Sequence, residues 1–206
     1  ENESGPNTGG MGAYSPAPII NKKLEKKIIN KIVKPTLQGL KAKKNPYTGF
    51  LYVGLMIRNN EPYLIEYNVR MGDPECQVIM PRLKTDLVKI INASLENKLN
   101  KLKIKWSKKK CMTTVLCAKG YPGKYQVNKI INLKKIKLNQ KSFIFHAGTK
   151  LKNNSLISNG GRVLNITVMG DTFSKIRNEI FEIIRKINWK NGFFRKDIGW
   201  RVIKLK

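Results

Sequence analysis

From Ile65 to Arg70 apolar and polar side chains alternate, and at Gly72 the alternation stops against a Gly-Asp-Pro-Glu turn. A period of two predicts a strand over 63–69, with Glu66, Asn68 and Arg70 on one face and Ile65, Tyr67 and Val69 on the other; same-face neighbours then stand about 7 Å apart. Gly72 takes backbone angles that other residues resist. Asp73 as cap, Pro74 at the first helical position and Glu75 against the positive helix end predict a helix start directly after it. On the strand alone, the polar face reads as the wet side of a half-buried sheet. The turn favours a second reading. A carboxylate and an amide carbonyl are hard oxygen ligands of the kind Mg²⁺ accepts, and a planar guanidinium one step further grips an oxyanion. With the free N–H groups of a helix start nearby, the set suits phosphoryl transfer, where catalysis is mostly positioning and charge neutralisation.

The remaining pattern organises the chain around this segment. FLYVGLMI (50–57) predicts a partner strand, joined to the first through Asn59, Asn60, Glu61 and Pro62 as a hairpin. Asn21 caps a helix with Leu24, Ile28, Ile32 and Val33 at helical spacing until Pro35 perturbs it, and a second helix runs from Asp86 to about Leu99. Residues 5–18, GPNTGGMGAYSPAP, carry Gly and Pro too densely for helix or strand. The lysine-rich stretch 98–110 marks a boundary. Beyond it come short strands at 111–118, 143–148 and 162–170 and a helix from Thr172 to about Ile187, a small second α+β unit. The expected division is therefore residues 1–106 and residues 107–206, with no internal repeat.

Composition limits the function classes. With 206 residues and 41% hydrophobic content the chain can bury a real core, but no apolar run approaches the roughly 20 residues of a membrane span, and the first ten residues lack the pattern of a signal peptide. Cys76, Cys111 and Cys117 form no CxxC pair, which argues for a reducing cytoplasm and against a disulfide framework or structural zinc. His146 is the sole histidine, so chemistries needing several imidazoles are excluded. A net charge of +28 would suit a polyanion partner. Lysine, however, is spread along the whole chain with Asn and Ile, and aromatics are only 8%, whereas nucleic-acid sites gather Arg and stacking rings on one surface.

Several strings together resemble the phosphoribosylamine–glycine ligase (glycinamide ribonucleotide synthetase) family of the ATP-grasp superfamily: GPNTGGMGAYSP, EYNVRMGDPECQVIMPRLKTDL, AKGYPGKY, FHAGT, GGRVLNITVMGDT and FRKDIGWR, in the family's order across essentially the whole chain. Met71 stands where the family usually has Phe or Leu, a change of similar volume. The resemblance implies an α+β fold: the C-terminal part of an ATP-grasp domain (1–106), then a small α+β C-terminal domain (107–206). It implies a ligase of purine biosynthesis that phosphorylates glycine with ATP and joins it to 5-phosphoribosylamine through a glycyl phosphate, releasing ADP and phosphate. Glu66 and Asn68 match the family's Mg²⁺ or Mn²⁺ ligands, and Arg70 a position that steadies the transferring phosphoryl group. Asn7, Thr8, Gly9, Gly10, Met11, Gly12 and Ser15 would line the pocket for glycine and the ribosylamine, and Asp73 and Glu75 would shape its substrate side.

The opening glycines are not a Walker loop, since no Gly-Lys-Ser/Thr follows. His146 reads as a structural histidine, Asp197 as an ion-pair partner of its neighbouring arginines, and Phe193, Phe194 and Trp200 as core of the second unit. The family's nucleotide-fold domain and the first part of its grasp are not matched by these residues. The chain is therefore expected to be a C-terminal portion, inactive without an N-terminal half. Two other classes compete: another ATP-grasp carboxylate–amine ligase, which shares ExNxR but not the GDPE turn or the NTGGMGAYSP opening, and a basic nucleic-acid-binding module.

Overall fold

The computed structural model describes residue 1 and residues 4–204. Its glycine-rich opening is not all loop. Gly12–Ser15 form strand β1, held by antiparallel pairing of Gly12 to Thr114 and Ser15 to Cys111, a tertiary partner that overrides poor local propensity. Asn21 then caps α1 (Lys22–Ile28), its Oδ1 accepting from Leu24 N at 2.9 Å. Pro35 perturbs the helix without ending it: a π-helical turn, Ile29–Val33, leads into α2 (Lys34–Ala42). Proline has no N–H to return to the preceding turn and its ring crowds that carbonyl, so the backbone widens locally. Thr36 Oγ1 satisfies Ile32 O instead, at 2.7 Å.

Strands β2 (Tyr52–Arg58) and β3 (Glu61–Asn68) make the expected antiparallel hairpin. Its turn is shorter than expected. Asn59 and Asn60 alone take positive φ (51° and 59°), the two-residue geometry that matches strand twist, so Glu61 and Pro62 already belong to β3. Next come α3 (Cys76–Ile79) and a 3-10 turn, Met80–Arg82. Then follows α4 (Leu87–Leu95), capped by Asp86 and ended four residues before Leu99, with Asn97 in the left-handed region at φ 55°.

The C-terminal hundred residues hold β4 (Lys110–Ala118), β5 (Ser142–His146), β6 (Thr149–Lys152), β7 (Ser155–Ser158), β8 (Arg162–Gly170), α5 (Phe173–Lys186), β9 (Gly192–Phe193) and α6 (Trp200–Lys204). The β6–β7 hairpin, unforeseen, turns on Asn153 and Asn154 at φ 47° and 58°. One antiparallel sheet runs in the order β1-β4-β8-β5, with β9 beside the end of β4.

The chain forms two compact units, and they are not contiguous in sequence. The first comprises Glu1–Pro16, Asp73–Arg82 and Ser107–Lys206; the second comprises Ala17–Gly72 and Leu83–Trp106. This grouping shares the 106/107 boundary but places the glycine-rich opening and the Asp73 turn with the C-terminal sheet.

In the first unit both faces of the central pair β4–β8 are covered. Met112, Leu116, Leu164, Ile166 and Val168 pack with Ile176, Ile180 and Ile183 of α5, which Thr172 caps. Val115 and Cys117 pack instead with Met11 from the glycine-rich opening. On that second face Thr167 Oγ1 donates to Thr113 Oγ1 at 2.7 Å, so two buried hydroxyls satisfy each other. In the second unit Glu61 is ion-paired to Lys27 and, at 3.0 Å, to Lys31. No helix among the described residues is long and apolar enough to cross a membrane.

Two expectations follow. Ile180 is fully buried and Leu151 is 73% exposed. In denaturant titration Ile180→Ala should therefore cost about 2–5 kcal/mol and Leu151→Ala no more than about 0.5 kcal/mol. Burial also pushes the Cys111 and Cys117 thiols up to about 12 and raises Cys76. At pH 8 the native protein should then react slowly with a disulfide reagent, Cys76 first, and all three thiols quickly once unfolded. Fast native labelling of Cys111 or Cys117 would contradict the buried sheet.

Candidate functional site

Hairpin β2–β3 places the first candidate group. Tyr52 pairs with Asn68 and Gly54 with Glu66, after which the register shifts so that Leu55 faces Leu64 and Ile65 is the extra residue of a bulge. On the C-terminal side of that bulge Tyr67 turns away from Glu66 and Asn68 as expected, but the strand ends at Asn68, and Val69, 76% exposed, and Arg70 lie in the bend beyond it. The Tyr67 hydroxyl meets Thr36 Oγ1 of α2, while Glu66, Asn68 and Arg70 bond to one another. Asn68 Nδ2 donates to Glu66 Oε1 at 3.1 Å and Arg70 Nη2 donates to Asn68 Oδ1 at 3.2 Å. Arg70 Nη1 is anchored on Met71 O at 2.8 Å. Glu66 and Arg70 are exposed and Asn68 is half-buried, so this row of groups lies open on one face.

Gly54 completes the row. A Cβ at this position would stand 2.8 Å from Glu66 Cγ, so glycine is what lets the Glu66 stem lie across its partner strand. Sequence reasoning passed over Gly54 as one residue of an apolar strand; the only available signal was a glycine inside a strand pattern.

The donor set fits a hard divalent cation in part. Glu66 offers carboxylate oxygens and Asn68 an amide oxygen, two of the roughly six oxygens that Mg²⁺ takes. Among the described residues no group of three or more His, Cys, Asp or Glu side chains is placed to hold a metal. Any further ligands must be phosphate oxygens, water or groups outside this set.

The second candidate group belongs to the other compact unit. Asp73 does not cap a helix beginning at Pro74. The Asp73–Pro74 peptide is cis, and α3 starts only at Cys76, with Glu75 at its N-cap position. The Asp73 carboxylate is drawn elsewhere: Oδ2 accepts from Arg162 Nη2 at 2.9 Å and Oδ1 from Gln77 Nε2 at 2.9 Å. A charge-assisted bond to a planar guanidinium outcompetes a capping bond to a backbone N–H.

Arg162 also holds the glycine-rich opening. Its Nη1 donates to Gly10 O at 3.1 Å and to Asp73 O at 2.7 Å, and Gly9 N donates to the Tyr121 hydroxyl at 2.9 Å. A Cβ on Gly10 would lie 2.5 Å from Pro74 Cδ, which explains a glycine at that point of closest approach. Asn7, Thr8, Gly9 and Gly10 are exposed, Gly12 begins β1, and Ser15 Oγ accepts from Arg82 Nη1 at 2.5 Å. The Met11 side chain is buried on Val115 and Cys117, so at that residue only backbone is left to face outward. Arg162 and Tyr121 were also missed by sequence reasoning, because they stand 152 and 112 residues from the loop positions they bind.

Other singled-out residues behave structurally. His146 Nδ1 lies 3.1 Å from Thr149 Oγ1, and Asp197 binds Arg195 through two bonds of 3.0 and 2.7 Å. Phe194 packs on Phe181 at 5.5 Å between ring centroids, and Phe193 packs beside the cluster of Met11, Val115 and Cys117. A cavity of about 780 Å³ lined by Ile130, Leu133, His146, Leu151 and Leu156 contains none of the candidate residues.

Comparison with known proteins matches both parts of the chain to one family. Residues 1–76 match the family profile described as phosphoribosylglycinamide synthetase, ATP-grasp (A) domain, and residues 111–201 match that described as phosphoribosylglycinamide synthetase, C domain. A phosphoribosylamine–glycine ligase of Agrobacterium fabrum is 44% identical over 204 residues, covering 98% of this chain and 48% of the relative. The crystal structure of a phosphoribosylamine–glycine ligase from Thermotoga maritima superposes with a TM-score of 0.79 at 35% identity, covering 96% of this chain and 48% of the other. The biotin carboxylase domain of a Hydrogenobacter thermophilus 2-oxoglutarate carboxylase shares the fold alone, with a TM-score of 0.63 at 13% identity over 89% of this chain and 40% of that one. The chain thus spans about half the length of the curated relatives it matches. Its α+β architecture is the C-terminal part of an ATP-grasp domain followed by a small C-terminal domain. The chain belongs to the phosphoribosylamine–glycine ligase family and corresponds to the C-terminal portion of its members.

Proposed function

We propose that this chain is the C-terminal portion of an enzyme that ligates glycine to 5-phosphoribosylamine at the expense of ATP, yielding glycinamide ribonucleotide, ADP and phosphate. The observation that carries the reading is the hydrogen-bonded row formed by Glu66 and Asn68 at the end of β3 and Arg70 in the bend that follows it. A carboxylate oxygen of glycine takes the γ-phosphoryl group and ADP leaves. The ribosylamine nitrogen then attacks the carbonyl carbon, and phosphate departs with the activated oxygen. A divalent cation, Mg²⁺ or Mn²⁺, would neutralise phosphate charge when bound. Glu66 and Asn68 would hold it.

The chain's own residues orient and balance charge. Arg70, fixed between Met71 O and Asn68 Oδ1, keeps a permanent positive charge beside the two oxygen donors, where a transferring phosphoryl group carries negative charge. Asn7, Thr8, Gly9, Gly10, Met11, Gly12 and Ser15, with Asp73 and Glu75, would form the substrate side, largely through loop backbone. Residues 1–106 are assigned to the ATP-grasp domain and 107–206 to the C-terminal domain. A cytoplasmic setting, where Cys76, Cys111 and Cys117 stay reduced, suits this reading.

The direct test uses an enzyme of the relatives' full length that ends in these 206 residues, with ADP release followed against glycine, phosphoribosylamine and Mg²⁺. Glu66→Ala and Asn68→Ala should each lower turnover by about 100-fold or more, and Arg70→Lys by about tenfold or more, since a point charge does not copy a planar fork. Near-normal rates in both Glu66→Ala and Asn68→Ala would remove the metal assignment. Gly54→Ala, which contacts no ligand, should raise the Mg²⁺ concentration at half-maximal rate by displacing Glu66; an unchanged Mg²⁺ requirement would show that the Glu66 stem has room to move. The 206 residues alone should release no ADP above background, because half a site cannot orient ATP against glycine.

A further inference from the structure

Two segments distant in sequence converge on one side chain of β8, and Tyr121 holds the first of them beside it. The Arg162 guanidinium takes the Gly10 carbonyl at 3.1 Å, the Asp73 carbonyl at 2.7 Å and the Asp73 carboxylate at 2.9 Å, while Tyr121 takes the Gly9 amide at 2.9 Å. Side-chain exposure is 24% for Arg162 and 41% for Asp73, so the guanidinium is partly covered while the carboxylate stays open to solvent. The Arg162 contacts are short, planar and charge-assisted, and a lysine in its place could not reach both carbonyls and the carboxylate together. Met11 closes the arrangement from below by burying its side chain on Val115 and Cys117.

We propose that Arg162 and Tyr121 are positioning residues: they fix the glycine-rich loop 7–12 against the Asp73 turn and so set the binding of glycine and phosphoribosylamine, without touching either. The inference rests on reading that loop as the substrate side, as proposed above. Its physical basis is entropic. A segment containing Gly9, Gly10 and Gly12 has many backbone states to lose, and contacts already made to Arg162 and Tyr121 remove most of them before a ligand arrives. ATP would be indifferent to this device if the loop serves only the amine and carboxylate substrates.

The test has two arms and three variants, Arg162→Lys, Arg162→Gln and Tyr121→Phe; the last removes a hydroxyl at little risk to folding. In the first arm, amide hydrogen exchange is measured on the 206-residue chain. Exchange at Gly9 and Gly10 should rise by about tenfold or more in each variant, with β4 and β8 unchanged. In the second arm, the full-length enzyme carrying Arg162→Gln or Tyr121→Phe should show KM for glycine or phosphoribosylamine raised by about tenfold and KM for ATP within about twofold of the parent. Arg162→Lys should give little rescue. Unchanged loop exchange overturns the latch, whatever the kinetics. Faster loop exchange with all KM values unchanged, or with KM for ATP raised equally, overturns the positioning role and the substrate reading of the loop with it. An inactive parent enzyme overturns the ligase reading alone, and the exchange arm still decides whether the latch exists.

Discussion

The antiparallel pairing of β4 with β8 is the constraint on which the C-terminal unit depends. Because this central pair is buried on both sides, each side needs its own cover. One cover is α5, whose Ile176, Ile180 and Ile183 meet Met112, Leu164 and Ile166. The other cover includes Met11, which carries the glycine-rich opening onto Val115 and Cys117. A segment with weak structural preferences of its own thereby acquires a fixed place, and β1 extends the same sheet along the edge of β4. Packing determines where the loop lies, and polar contacts from Arg162 and Tyr121 determine its detailed path.

The β2–β3 hairpin uses a different device. Its alternation separates Tyr67, bonded to Thr36 of α2, from Glu66 and Asn68, which remain open. Gly54 leaves room for the Glu66 stem. The ladder from Glu66 through Asn68 to Arg70 restricts all three side chains, so a metal and a phosphate would meet groups with little conformational freedom left to lose. Cys111 and Cys117 are held as thiols by burial and serve as core.

Local physics was legible in the sequence wherever one residue decided the outcome. Asn21, Asp86 and Thr172 cap helices as their side chains predict, each accepting from a backbone N–H three residues on. The polar face of β3 was legible for the same reason, since pleating fixes it. What was not legible depended on partners far along the chain. Strand β1 exists because β4 pairs with it, and Asp73 leaves its expected capping role because Arg162, 89 residues later, binds it. Pro35 was read correctly as a perturbation, but the π-helical turn that absorbs it is a backbone response no residue type specifies. The β6–β7 hairpin carried a signal in Asn153 and Asn154 that went unused.

The central claim is that Glu66 and Asn68 present oxygen atoms to a divalent cation from one face of one strand. A crystal structure of the full-length enzyme with Mg²⁺ and a non-hydrolysable ATP analogue tests it most directly. The account predicts a metal ion within about 2.0–2.1 Å of a Glu66 carboxylate oxygen and of Asn68 Oδ1, with phosphate oxygens completing its shell and the Arg70 guanidinium on the terminal phosphate. A nucleotide-bound metal coordinated by neither residue would contradict it.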